Sequence, residues 1–320
     1  MKNKIIRLLI VLFTPVLNAQ VVYVYAPGWE IPVYFDATGT TKHLSSEGIT
    51  IQQVQRVCQI PDNAPALFFD IDCASAQEYA SRAHAPSALF LWEPPSVKPY
   101  NYDTSYHQYF NRIYTWNDAL IDNMRYYKFY YPVRHNMKRS SDSFNDKKLC
   151  VMVTAYKSSH HPNQLYTERS GVVHFFEKKH PQDFDLYGYD WPSSIRVYKG
   201  TIDDKLEKVS HYKFSIAYEN IKDEPGYVTE KMFHCFAAGT VPIYWGASNI
   251  YDYVPHSCFI DRTNFSSNEE LYDYLTNMSE ETHQTYLSNI EQYLQTPAAH
   301  NFSNAYFAQL ITRVCTELLK

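Results

Sequence analysis

The chain has 320 residues, with 29 Lys and Arg against 34 Asp and Glu, a formal net charge of −5. That length suits two domains of roughly 100–200 residues each, and globular apolar and charged fractions exclude a disordered chain. No basic stripe accompanies the acidic balance, which argues against nucleic-acid binding. An anionic small ligand would need a local cationic pocket.

The N-terminus opens with Lys2, Lys4 and Arg7, then an apolar run from Leu8 to Leu17, then Asn18-Ala19-Gln20. A basic head before a short apolar run reads as a signal peptide or signal anchor over residues 1–19, with Ala19 as a cleavage edge. The bland alternative is the first strand of a cytoplasmic domain. The run is short for a span of about 20 residues, and Pro15 suits a cleaved signal. The expected setting is a membrane or the secretory pathway, or otherwise the cytoplasmic face of a bacterial membrane.

Apolar β-rich runs then alternate with helical stretches. Val21–Tyr25, Ala66–Ile71, Ser87–Trp92 and Ile113–Trp116 read as strands, and Ala76–Ala85 as a helix. The strands are continuously apolar, as in parallel sheets covered on both faces. A polar stretch from Arg139 to Lys148 reads as a linker. A second series follows. Leu149–Val153, Phe184–Gly188, Tyr212–Tyr218 and Val241–Trp245 are predicted strands, and Gln164–Lys179 and Glu230–Ala238 predicted helices. Three more helical patterns lie near 268–276, 280–294 and 303–319. The expected organisation is an α/β chain with two Rossmann-like domains, 20–140 and 147–300, facing across a cleft, with a closing helix over 301–320.

Six cysteines form no C-x-x-C pair, so a structural zinc site is disfavoured. Cys58 and Cys73 could pair in an exported chain, while Cys150 and Cys235 sit in apolar segments and read as buried thiols. Sequons at Asn264, Asn277 and Asn301 carry meaning only in a eukaryotic secretory pathway. The 29 Tyr and 18 Phe offer faces for stacking sugars or bases, although core packing accounts for most aromatic residues.

The chemistry concentrates between Tyr212 and Gly246: strand, polar loop, helix, glycine stop, strand. Thr229 is placed to cap the helix and Gly239 to stop it. Met232, Phe233 and Phe236 share a face for burial. A helix start offers free N–H groups and the positive dipole end to a phosphate, and Lys231 adds a full charge beside them. Glu219 and Asn220 follow the strand, where α/β sheets present ligand groups, and Glu230 can accept from two hydroxyls. Each residue also has an ordinary reading as a surface or turn residue; their clustering in one βαβ unit favours a phosphosugar site.

The run Phe214-x-Ile216-x-Tyr218-Glu219-Asn220, then Tyr227-Val228-Thr229-Glu230-Lys231, then Gly239-x-Val241-Pro242 and Gly246, resembles the donor-binding motif of glycosyltransferase family 10, the α1,3/α1,4-fucosyltransferases. The resemblance extends more weakly upstream to Glu93 and not into the first 85 residues. It implies a GT-B fold with GDP-fucose in the C-terminal domain. Donor contacts are implied for Tyr218, Glu219, Asn220, Tyr227, Val228, Thr229, Glu230 and Lys231, with Lys231 on the diphosphate and Glu230 also supporting the cationic fucosyl group. Arg169 matches the family's second phosphate-binding cation. No metal ligands or required cofactor are implied, with Mn²⁺ or Mg²⁺ expected at most to stimulate.

An inverting transfer needs one carboxylate to take the acceptor hydroxyl proton. Glu93, at the end of a buried strand, offers it, with Pro94 and Pro95 fixing the turn. The family carries Glu-Ser-Pro where this chain has Glu93-Pro94-Pro95. The implied acceptor is a GlcNAc-containing glycan. Two readings compete: a secreted carbohydrate-binding protein without catalysis, and a transferase using another GDP-sugar. Asp70-Ile71-Asp72 resembles the metal-binding Asp-x-Asp of single-domain transferases, a pattern frequent by chance, and His160-His161 reads as a solvated loop pair.

Overall fold

The computed structural model describes residues 20–81, 86–133 and 137–320; the basic head and apolar run of residues 1–19 lie outside the described residues. In chain order, the first half runs β1 (Gln20–Tyr25), α1 (Ile31–Thr38), α2 (Thr40–Ser46), β2 (Ile49–Val54), β3 (Ala66–Phe69), α3 (Cys73–Ala80), β4 (Ser87–Leu91), β5 (Arg112–Thr115) and β6 (Tyr126–Lys128). The second runs β7 (Lys148–Val153), α4 (Tyr166–Lys179), β8 (Phe184–Tyr187), α5 (Lys205–Ser210), β9 (Tyr212–Tyr218), α6 (Glu230–Ala238), β10 (Val241–Trp245) and β11 (Ile260–Asp261), then α7 (Asn268–Thr276), α8 (Glu280–Leu294), α9 (Pro297–His300) and α10 (Asn304–Leu318).

Two sheets result, ordered β2-β1-β3-β4-β5-β6 and β11-β10-β9-β7-β8. Every pairing within them is parallel. Parallel strands covered on both faces must be apolar throughout, and β3 and β4 are buried at every position. In both sheets the strand order reverses between the first and third strands in chain order, β1 and β3 in one and β7 and β9 in the other. Ligands of such folds bind beyond the carboxyl ends of the strands at that reversal. In the second sheet this is the gap between the ends of β7 and β9.

The closing helix α10 returns to the first half of the chain. Phe307, Ile311 and Val314 are buried in one cluster with Val22, Phe35, Phe69 and Phe90. The polar stretch after residue 139 is irregular up to β7, and is tied down where Ser140 Oγ donates to the Ser210 carbonyl at 2.9 Å. The helix predicted over Ala76–Ala85 starts earlier, because Asp72 accepts from Ser75 N at 2.9 Å and caps α3. Strands β2 and β6 and helices α1, α2 and α5 are short or weakly periodic and have no counterpart in the sequence reading. All six cysteines are free thiols, with Cys58 exposed and Cys150 and Cys235 buried. Among the described residues, no helix is long and apolar enough to cross a membrane.

The halves meet over a polar knot and an aromatic contact. Asp118 accepts from Lys128 Nζ (2.8 Å), Asn249 Nδ2 (2.9 Å) and Tyr253 OH (2.5 Å). The Trp116 and Tyr227 rings pack at 4.6 Å. Gly226 makes this approach possible: its φ is +84°, and a Cβ there would lie 2.3 Å from the Trp116 carbonyl oxygen.

Candidate active site

The site is assembled at the start of α6. Thr229 occupies the cap position but makes no side-chain capping bond. Its hydroxyl donates to Glu219 at 2.7 Å instead, and its amide donates to the same carboxylate at 2.8 Å. The leading amides of α6 are thus left without the usual Ser/Thr acceptor, as an anion site requires. The Lys231 ammonium donates to Glu219 at 2.9 Å and to the Thr229 hydroxyl at 3.0 Å, which fixes it beside those amides. Burial works against its charge, but Glu219 and Glu230 outweigh burial and raise its pKa above the ordinary lysine value.

Arg169 of α4 spans the reversal point. Its guanidinium donates to Thr154 Oγ1 (3.2 Å) just after β7, to the carbonyl of Tyr218 (2.7 Å), the last residue of β9, and to Asn220 Oδ1 (3.0 Å) beyond it. The residue is 5% exposed, so it is a fixed part of the wall. Arg169 and Lys231 line a small enclosed cavity together with Lys205 and His234. The sequence reading did not single out Lys205 or His234. His234 follows Glu230 by four residues and shares its helical face, a spacing that could have found it. Lys205 sits at the start of six-residue α5, and only the fold brings it here. Burial and the neighbouring Lys205 lower the His234 pKa to about 4, so its imidazole is neutral near pH 7.

Glu230, Lys231 and His234 are the α6 residues that are only partly buried. Burial alone would raise the Glu230 pKa, but Lys231, Lys205 and His234 together bring it down to about 2, and it stays ionised. Tyr218, Glu219, Tyr227, Val228 and Thr229, also expected at the donor site, are each between 0% and 2% exposed. Their side chains are enclosed. Glu219 and Thr229 brace the helix start, Val228 packs beneath it with Met232 and Phe233, and Tyr227 packs on Trp116 of the first half.

Glu93 comes from the opposite side, two residues beyond β4. Burial raises its pKa above the ordinary glutamate value; Lys231 and Lys157 oppose the rise and Glu230 adds to it. Glu93 and the start of α6 therefore sit within electrostatic reach of each other across the junction. Beside them lies a cavity of about 380 Å³, walled by Trp29, Tyr34, Trp92 and Tyr131 from the first half and by Glu230 and His234 from α6. Of the acidic pair Asp70 and Asp72, Asp72 is spent on capping α3, and Asp70 is 2% exposed. Among the described residues, no three His, Cys, Asp or Glu side chains are grouped to hold a metal ion.

The chain is similar to fucosyltransferases in sequence and in fold. An alpha-(1,4)-fucosyltransferase of Arabidopsis thaliana is 47% identical over 73 residues, 23% of this chain and 18% of its own length. An alpha-(1,3)-fucosyltransferase of Helicobacter pylori is 24% identical over 244 residues, 68% of this chain and 49% of its own. The chain thus spans about half or less of the length of these relatives. A crystal structure of an alpha1,3-fucosyltransferase superposes with a TM-score of 0.60 at 14% identity, covering 94% of this chain and 90% of that one. A structure of alpha1,3-fucosyltransferase with GDP gives 0.59 at 16% identity, covering 95% and 92%. The two parallel-sheet domains are the GT-B fold of these transferases. The family model described as glycosyltransferase family 10 (fucosyltransferase) C-term matches residues 145–319, from just before β7 through α10, and this chain is a member of that family.

Proposed function

We propose that the chain is an inverting fucosyltransferase that moves L-fucose from GDP-β-L-fucose to a hydroxyl of a GlcNAc-containing glycan. The observation that carries the reading is the pairing of Glu93, a carboxylate of raised basicity, with the cationic start of α6 across the junction. The diphosphate would lie on the leading amides of α6 between Lys231 and Arg169, with Asn220 beside Arg169. As the acceptor oxygen attacks C1 of fucose, its proton passes to Glu93. The C1–O bond to the β-phosphate breaks, and its electron pair leaves with GDP. Permanently ionised Glu230 supports the cationic sugar, while Lys231 and Arg169 take up the charge growing on the phosphate. That charge is met by protein groups, so Mn²⁺ or Mg²⁺ has at most a stimulating role in this reading. The basic head and apolar run of residues 1–19 would bring the chain to a membrane or into the export pathway, where glycan acceptors are met.

The test combines melting with GDP or UDP and an acceptor panel read by mass and linkage. GDP should raise the melting temperature and UDP should not. Glu93→Gln should bind GDP as the native chain does and transfer no fucose. No response to GDP would remove the donor assignment, and native turnover in the variant would remove Glu93 as base. GDP binding with no transfer to any acceptor would favour a carbohydrate-binding protein.

A further inference from the structure

The Trp92-Glu93 turn is held from every side. Asp70, at the end of β3, accepts from the Trp92 amide at 2.7 Å and from the Glu93 amide at 3.0 Å through one oxygen. That oxygen also accepts from Asn101 Nδ2 at 2.5 Å. The carbonyls are tied too. Tyr102 OH donates to the Glu93 carbonyl at 3.1 Å, and Trp116 Nε1 to the Trp92 carbonyl at 3.1 Å. Tyr131 OH also donates to the Trp92 carbonyl. Asn101 is itself fixed, accepting from Ile71 N at 3.1 Å, with His107 Nε2 bonded to its carbonyl at 2.8 Å. Asp70 adopts φ +56°, a left-handed conformation that costs an L-residue energy and persists where surrounding bonds hold it. β4 lies between β3 and β5 and the Trp92 amide is buried, so protein groups and not water must meet this turn.

We propose that Asp70 is the positioning residue for the base: it fixes the backbone turn that carries Glu93. The inference rests on the reading of Glu93 as base. An ionised carboxylate accepts backbone N–H bonds about twice as strongly as a neutral acceptor. The charges acting on Glu93 are those of Lys231, Lys157 and Lys98, which lower its pKa, and Glu230, which raises it. Around Asp70 stand Glu93, Asn101 and the two amides; burial raises its pKa to about 6, leaving it ionised above that pH.

Two variants of the full chain test this, assayed with GDP-fucose and a galactosyl-β1,4-GlcNAc acceptor. Asp70→Ala should lower kcat about a hundred-fold, the scale of a 1 Å misplacement, with the KM for GDP-fucose and the GDP-induced melting shift unchanged. Asp70→Asn keeps an acceptor for both amides and should recover kcat to within about ten-fold of native. Combined with Glu93→Gln, either change should have no further effect. Native kcat in Asp70→Ala, no recovery of kcat in Asp70→Asn, or loss of the GDP response in step with kcat would overturn the proposal. Full turnover in Glu93→Gln alone would instead remove the base reading on which it rests.

Discussion

Lys231→Met separates two roles of one side chain. In the native chain the Lys231 ammonium neutralises Glu219, whose side chain is wholly buried, while Lys231 itself keeps 20% of its side-chain surface exposed. Methionine fills the same space but leaves Glu219 charged, held only by the amide and hydroxyl of Thr229. Removing one partner of a buried pair costs about 3–5 kcal/mol, and the partial exposure of Lys231 puts this case near the lower end. For 320 residues, at roughly 2.1 cal/mol/K of unfolding entropy each, about 3 kcal/mol corresponds to a fall of roughly 4–5 °C in melting temperature. Adding Glu219→Gln removes the stranded charge, and its amide oxygen can still accept from Thr229. The double variant should regain most of the lost stability. GDP affinity should behave differently, because the phosphate contact is gone in both variants. A charge-assisted hydrogen bond is worth about 1.5–3 kcal/mol, so both should bind GDP about ten- to a hundred-fold more weakly. Differential scanning calorimetry and titration calorimetry read the two effects apart. Native GDP affinity in Lys231→Met, or recovery of affinity together with stability in the double variant, would refute the phosphate role.

Other outcomes follow from neighbouring groups. Lys205→Met should weaken GDP by about ten-fold, the size of one charge-assisted contact, and should raise the pKa of Glu230 by removing one of its cations; calorimetry with GDP checks the first and a pH–rate profile the second. His234 has a folded-state pKa of about 4, below its unfolded value near 6.5. Between those values the unfolded chain binds the extra proton, so this group's contribution to stability is present above pH 6.5 and is lost as pH falls toward 4. His234→Gln should therefore flatten the melting temperature over that interval, and an unchanged slope would show that His234 does not carry it. Asp118→Ala strands the Lys128 ammonium at the junction and should cost about 2–3 kcal/mol, read as a lower melting temperature, with the GDP-induced shift in melting retained.

The apolar runs of β3, β4, β7, β9 and β10 and the long amphipathic helices were legible because continuous or periodic burial leaves a direct trace in composition. The Tyr218–Lys231 stretch was legible for a similar reason. A strand end, a loop and a helix start lie close along the chain, so Asn220, Glu230 and Lys231 are near one another before any long-range folding. Burial within that stretch was not legible. Glu219 and Thr229 looked like ligand groups, and the fold turns them inward to support Lys231. Other features depended on distant segments meeting. Arg169 reaches Asn220 across 51 residues, and the Asp70 carboxylate reaches the Trp92 amide across 22. Lys205 has no local pattern at all, and α10 closes on strands that begin the chain. Local spacing thus determined the family, the alternating elements and the charged start of α6. Which carboxylate faces that start, which cations join it and which side chains only brace it were decided by packing between two sheets. Burial and neighbouring charge are properties of the folded surroundings, which the order of residues along the chain does not display.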